Sequence, residues 1–139
     1  MTKKRKIVVI DDDGVTRKRI CYTLESNGFE VAEASEGKAG VELVYAEHPD
    51  LVVCDVMMPE MDGFAVVDTL RSDPRTTLIP FIFFTSKAEA MSMRKGMDLG
   101  ADDYLTKPLQ PELLLNSIER RLKRRHDQLE WGRRPKEET

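Results

Sequence analysis

The sequence predicts an α/β fold: a doubly wound parallel sheet of five strands with helices on both faces. Strand-like and helix-like periods alternate five times along the chain. The runs Ile7-Val8-Val9-Ile10 and Leu51-Val52-Val53-Cys54 are continuously apolar, as strands covered on both faces must be. Both runs end on aspartate, Asp11-Asp12-Asp13 after the first and Asp55 after the second. In open sheets of this kind ligands bind at the carboxyl ends of strands, so chemistry is expected there.

Each element has its own signal. Val15 to Asn27 reads as a helix with Ile20 and Leu24 at helical spacing, stopped by Asn27-Gly28. Phe29 to Ala34 alternates like a half-exposed edge strand, and Ser35 is placed to cap a second helix with Ala39, Leu43 and Ala46 on one face. After the third strand, Pro59 and Gly63 turn the chain away and Asp62 caps a third helix, Phe64 to Arg71. Asp73-Pro74 marks a loop from Ser72 to Thr77. Ile79 to Phe84 is the fourth strand and Lys87 to Leu99 the fourth helix, with Met91, Met93 and Met97 as packing residues. Tyr104-Leu105 forms a short fifth strand, and Pro111 opens a last helix. Leu115, Ile118, Leu122 and Leu129 give that helix a weak heptad signal, and Gly132 and Pro135 stop it near Trp131. Residues 1–124 therefore read as one domain and 125–139 as a helix extension and tail. Such a tail suits either a stand-alone chain or a link to an output domain.

Composition narrows the function classes. A chain of 139 residues is one domain by prior, able to bury ~68% of its unfolded surface. Apolar residues at 40% and charged residues at 34% fit a globular protein with a solvated face. The net charge of −3 does not argue for a nucleic-acid partner, and the basic tail from Arg120 to Lys136 is interrupted by Asp127 and Glu130. The apolar stretch Leu78 to Phe84 is too short for a membrane span, and Met1 to Lys6 runs into the first strand without the apolar region of a signal peptide. Cys21 and Cys54 form neither a disulfide framework nor a zinc signature, and a reducing cytoplasm is the simplest compartment.

Four strand ends carry groups suited to a phosphoryl site: Asp11 and Asp12, Asp55, Thr85-Ser86, and Lys107. Carboxylates from two strands repel one another unless a cation lies among them, and they are the hard oxygen ligands that Mg²⁺ takes. A hydroxyl can donate to a phosphoryl oxygen and an ammonium can neutralise it. Asp13, before Gly14 and a helix, reads as a cap rather than a ligand, while Thr85 and Ser86 compete to cap the fourth helix. No glycine-rich nucleotide loop is present, so another protein or a small donor is the expected source of phosphate.

From about Lys6 to Arg124 the chain resembles the receiver domain of two-component response regulators, the chemotaxis-regulator type. The matching motifs are Ile10-Asp11-Asp12, the Asp55-to-Gly63 run, Phe84-Thr85-Ser86, and Gly100-Ala101-Asp102-Asp103-Tyr104-Leu105-Thr106-Lys107-Pro108. The resemblance implies a flavodoxin-like (βα)5 sheet of order 2-1-3-4-5 and a cis bond at Lys107-Pro108. It implies that Asp55 is the phosphoacceptor and Lys107 the phosphate partner. Asp12, Asp55 and the Met57 backbone carbonyl would bind Mg²⁺ directly, with Asp11 acting through water and Mn²⁺ as a substitute ion. Thr85 and Tyr104 would be the switch pair. Expected partners are a sensor histidine kinase or phosphotransfer protein, an output domain or effector, and a second copy through the fourth helix, fifth strand and last helix.

Two other readings compete. Asp11-Asp12-Asp13-Gly14-Val15 also fits the opening of haloacid-dehalogenase-type phosphatases, although Asp102-Asp103 then precedes Lys107 in the wrong order. A non-phosphorylated pseudo-receiver would usually have lost an acid or the lysine, and this chain keeps them all.

Overall fold

The computed structural model describes residues 3–133. In chain order the elements are β1 (Lys6–Ile10), α1 (Gly14–Ser26), β2 (Glu30–Ala34), α2 (Gly37–Glu47), β3 (Leu51–Cys54) and α3 (Gly63–Ser72). Then come β4 (Phe81–Thr85), α4 (Lys87–Ala90), α5 (Met93–Asp98), β5 (Asp103–Thr106) and α6 (Pro111–Arg133). The five strands form one sheet in the order β2-β1-β3-β4-β5, every pair parallel. Ile10 lies level with Ala34 on one side and Cys54 on the other, so Asp11 and Asp55 leave the sheet along one edge.

Alternation along the strands feeds two cores. Val8, Ile10, Val52, Cys54, Phe81 and Phe83 face α2, α3 and Met93 of α5. Ile7, Val9, Leu51, Val53, Ile82 and Phe84 face Ile20 and Leu24 of α1 and Leu114, Ile118 and Leu122 of α6. Both cysteines are buried and unpaired. No helix among the described residues is long and apolar enough to cross a membrane.

Five local expectations change. The buried stripe of α2 is Gly37, Gly40, Val41 and Val44, whereas Ala46 is exposed and Ala39 and Leu43 are only half-buried. A Cβ on Gly40 would sit 2.5 Å from Ile10 Cδ1, so α2 reaches the sheet through glycine and apolar counting picks the wrong face. Ser35 does not cap α2; Glu36 holds the N-cap position and makes no side-chain cap bond.

The single fourth helix is instead two short ones, α4 and α5. The Lys87–Ala90 turn buries nothing, so no apolar face extends it past Met91, and the Ser92 N–H bonds the nearer Glu89 carbonyl. Met93 is buried as a packing residue, but Met91 and Met97 are exposed. Finally, α6 runs through Gly132 to Arg133; Arg134, Pro135 and Lys136 lie outside the described residues.

Arg71 ties the strand starts opposite the aspartates. Its guanidinium donates to the carbonyls of Gly100 (2.8 Å), Thr77 (3.1 Å) and Ile79 (2.7 Å), and to Asp102 Oδ2 at 3.0 Å. Replacing it by Met leaves three carbonyls and a carboxylate short of donors. The expected loss is about 3 kcal/mol of unfolding free energy, read by urea denaturation.

Candidate functional site

The site forms because β1 and β3 are neighbours. The Asp55 N–H donates to the Ile10 carbonyl at 2.9 Å, and the Asp11 N–H to the Ala34 carbonyl at 3.1 Å. Arg17 of α1 fixes this edge further, donating to the Asp11 carbonyl (2.8 Å) and to Glu33 Oε1 (2.8 Å). Sequence reading missed Arg17 because its partners, the residue after β1 and Glu33 of β2, meet only once those strands pair.

Asp11, Asp12 and Asp55 present carboxylate oxygens that all lie within 4.8 Å of one another. Asp11 is 1% exposed and Asp55 6%, while Asp12 is open to solvent. Asp11 Oδ1 accepts from the Asp13 N–H at 2.9 Å and Asp55 Oδ1 from the Val56 N–H at 2.8 Å. Lys107 Nζ donates to Asp55 Oδ2 at 3.1 Å and stands 3.3 Å from Asp11 Oδ2. That second contact is an ion pair without hydrogen-bond geometry, so Asp11 Oδ2 remains a buried acceptor with no donor among the described residues. Burial, and then the Asp55 charge, push the Asp11 carboxyl up to about 6 against the opposing pull of the Asp13 N–H and Lys107. Burial alone would depress Lys107, but the charges of Asp11 and Asp55 outweigh it and hold the ammonium above its ordinary value. Clustered hard oxygens with an orphaned acceptor fit a divalent cation such as Mg²⁺ or Mn²⁺.

The remaining predicted residues lie on other strand ends and loops. Ser86 caps α4, accepting from the Glu89 N–H at 3.2 Å. Capping therefore does not occupy Thr85, which is wholly buried at the end of β4 and whose hydroxyl has no partner among the described residues. Met57 lies in the loop after β3 and is 59% exposed. Tyr104 is level with Phe83 on β5, 40% exposed, and borders a cleft with Phe84, Gln110 and Leu113. The Lys107-Pro108 peptide is cis. Asp13 is the α1 cap, accepting from the Val15 N–H and the Thr16 hydroxyl. Those bonds occupy the carboxylate that a phosphatase reading would need as its acid/base.

A five-stranded parallel sheet with acids and a lysine at its switch point defines a class, and comparison with known proteins agrees. Residues 7–119 match the response regulator receiver domain family. The chain belongs to that family. It is 40% identical over 124 residues to the DNA-binding dual master transcriptional regulator RpaA of Synechocystis, covering 89% of this chain and 51% of that protein. It is 33% identical over 120 residues to the phosphate regulon transcriptional regulatory protein PhoB of Escherichia coli, covering 86% of this chain and 52% of that one. It thus spans about half the length of these curated relatives. Among solved structures, a putative response regulator from Chloroflexus aurantiacus superposes with a TM-score of 0.83 at 29% identity, covering 87% of this chain and 99% of that one. The chemotaxis protein CheY4 of Vibrio cholerae gives 0.80, also at 29% identity, covering 85% and 98%. The phosphatase and pseudo-receiver alternatives are not favoured.

Proposed function

We propose that this receiver takes a phosphoryl group onto Asp55 and uses it to remodel the face made by α4, α5, β5 and the start of α6. The observation that carries this reading is the meeting of Asp55 with Asp11, Asp12 and Lys107 at one sheet edge. Asp12, Asp55 and the Met57 backbone carbonyl suit direct ligation of Mg²⁺, and Asp11 ligation through water. Bound there, the ion supplies charge neutralisation of phosphoryl oxygens.

The chain's own groups do the rest. The Asp55 carboxylate attacks phosphorus in a phosphohistidine on a sensor histidine kinase or phosphotransfer protein. The P–N bond breaks, and the donor imidazole leaves with the bonding pair. Lys107 pairs with the phosphoryl oxygens, so the acceleration is positioning and charge stabilisation. Thr85 then donates its unpaired hydroxyl to a phosphoryl oxygen, and Tyr104 turns into the space released. This shifts a population between two packings. The remodelled face suits a second copy of the chain or an effector in the cytoplasm. A transcriptional output in a further domain is the reading that RpaA and PhoB support.

Incubation with acetyl phosphate and Mg²⁺, followed by intact-mass measurement, tests the assignment. Wild type is expected to gain one phosphoryl group, Asp55→Asn none, and wild type with chelator little. Equal incorporation in wild type and Asp55→Asn would overturn it.

A further inference from the structure

The far end of the sheet carries a second charged site that the phosphoryl chemistry does not use. A cleft of about 300 Å³ opens where β4 and β5 begin, lined by Arg71, Arg121, Arg124, Arg125 and Gln128, with Asp102 the acid in its wall. Arg121, Arg124, Arg125 and Gln128 recur at helical spacing and share one face of α6. Four arginines thus line a cleft that holds one acid, Asp102.

One oxygen of that carboxylate is already engaged twice. Asp102 Oδ2 accepts from Arg71 at 3.0 Å and from the Phe81 N–H at 2.8 Å. The neighbouring Asp103 Oδ2 accepts from the Ser117 hydroxyl at 2.6 Å and stands 3.9 Å from Arg121, beyond hydrogen-bond reach. Arg121 Nε is buried with no partner among the described residues. Arg125 uses one nitrogen on the Leu78 carbonyl at 2.8 Å, and Arg124 is exposed. Burial lowers Arg71, Asp102 offsets this, and the charge of Arg125 lowers it again, as expected when cations crowd together.

We infer that this cleft binds a phosphate-type oxyanion, as the free ion or as the phosphoryl end of a small phosphate ester. Guanidinium forks match such oxygens, and Arg121 Nε and Arg124 supply unspent donors. A bound anion would fasten the later turns of α6 to α3 and the starts of β4 and β5. That would fix the direction in which α6 leaves the domain. The inference does not rest on the phosphoacceptor reading.

The test uses the full chain carrying Asp55→Asn, in chelator, so that the cation-dependent site is silent. Sodium phosphate is titrated against sodium chloride at matched ionic strength while backbone amides are followed by NMR. Saturable shifts are expected at Gly100 to Asp102 and Arg121 to Gln128. Arg121→Gln with Arg124→Gln should weaken binding about tenfold, with an unchanged melting temperature in chloride. Arg124→Gln alone, at an exposed position, serves as the second variant if the pair melts lower. Glycerol 2-phosphate separates the sources: tighter binding than phosphate assigns an ester, weaker binding the free ion. Shifts that rise linearly, that chloride reproduces, or that both variants leave undiminished would overturn the inference.

Discussion

With divalent cations chelated, the protein is expected to be more stable at pH 5 than at pH 7.5, by about 1 kcal/mol. The sign follows from Asp11, whose carboxyl is raised by burial to about 6 from an ordinary 3.8. A raised folded-state value means stability that is fully present below the ordinary value and lost as pH rises through the folded one. Glu33 and Asp73 behave oppositely. Bonds from Lys18 and Arg17 hold Glu33 at about 2, and bonds from Arg75 hold Asp73 at about 2. Their contributions are lost only as pH falls through about 2, having been complete above their ordinary values near 4, so they are flat between pH 5 and 7.5. Asp11→Asn is expected to flatten the slope and to raise stability at pH 7.5 by about 2 kcal/mol, since it removes a buried charge and keeps an acceptor for the Asp13 N–H. Millimolar Mg²⁺ should stabilise wild type most at the higher pH, where the Asp11 carboxyl has lost its proton, and Asp12→Ala should lose most of that gain. Urea titrations at the two pH values, with and without Mg²⁺, read all of these. A wild type whose chelated stability rises from pH 5 to 7.5 would refute the account.

What could be read from the residues, and what could not, divides along a physical line. Strands buried on both faces announce themselves as apolar runs, so the sheet, its two cores and the acids at the ends of β1 and β3 were legible. Caps with local partners, Asp13, Asp62 and Ser86, were legible or nearly so, because the side chain and the amide it accepts from lie within three residues. The α2 face was not, because its contact is made by the absence of a side chain at Gly40. The break between α4 and α5 was hidden too, since Lys87 to Leu99 has good helix formers and the missing ingredient is burial. Arg17 and Arg71 were invisible for another reason. Their partners lie up to 31 residues away and become neighbours only once the sheet is ordered.

Gly63→Ala is expected to be among the most damaging single-methyl changes in the chain, costing about 3 kcal/mol or more and abolishing phosphoryl uptake. Gly63 opens α3, and its N–H donates to the Val56 carbonyl at 2.7 Å, drawing the helix start against the end of β3. A Cβ there would lie inside van der Waals contact of the Asp55 carbonyl oxygen, and 2.9 Å from both Val56 Cα and the Phe83 ring. Two of those neighbours are backbone, one belonging to Asp55 itself. Phe83 is fully buried and packs edge-on against Phe64 and Phe81, so it cannot swing aside. The strain must therefore be relieved by moving either α3 or the Asp55 peptide, and the second option misaims the carboxylate that Lys107 and the Val56 N–H hold. Gly14→Ala is the control. It lies in the first turn of α1, the nearest atom to its added Cβ is Arg17 Nη2 at 3.8 Å, and its φ is not left-handed. That change should be neutral or stabilising by up to about 1 kcal/mol with phosphorylation intact. Urea denaturation and the acetyl phosphate assay on both variants decide the matter. A Gly63→Ala protein as stable and as readily phosphorylated as wild type would show that the β3–α3 junction does not position Asp55.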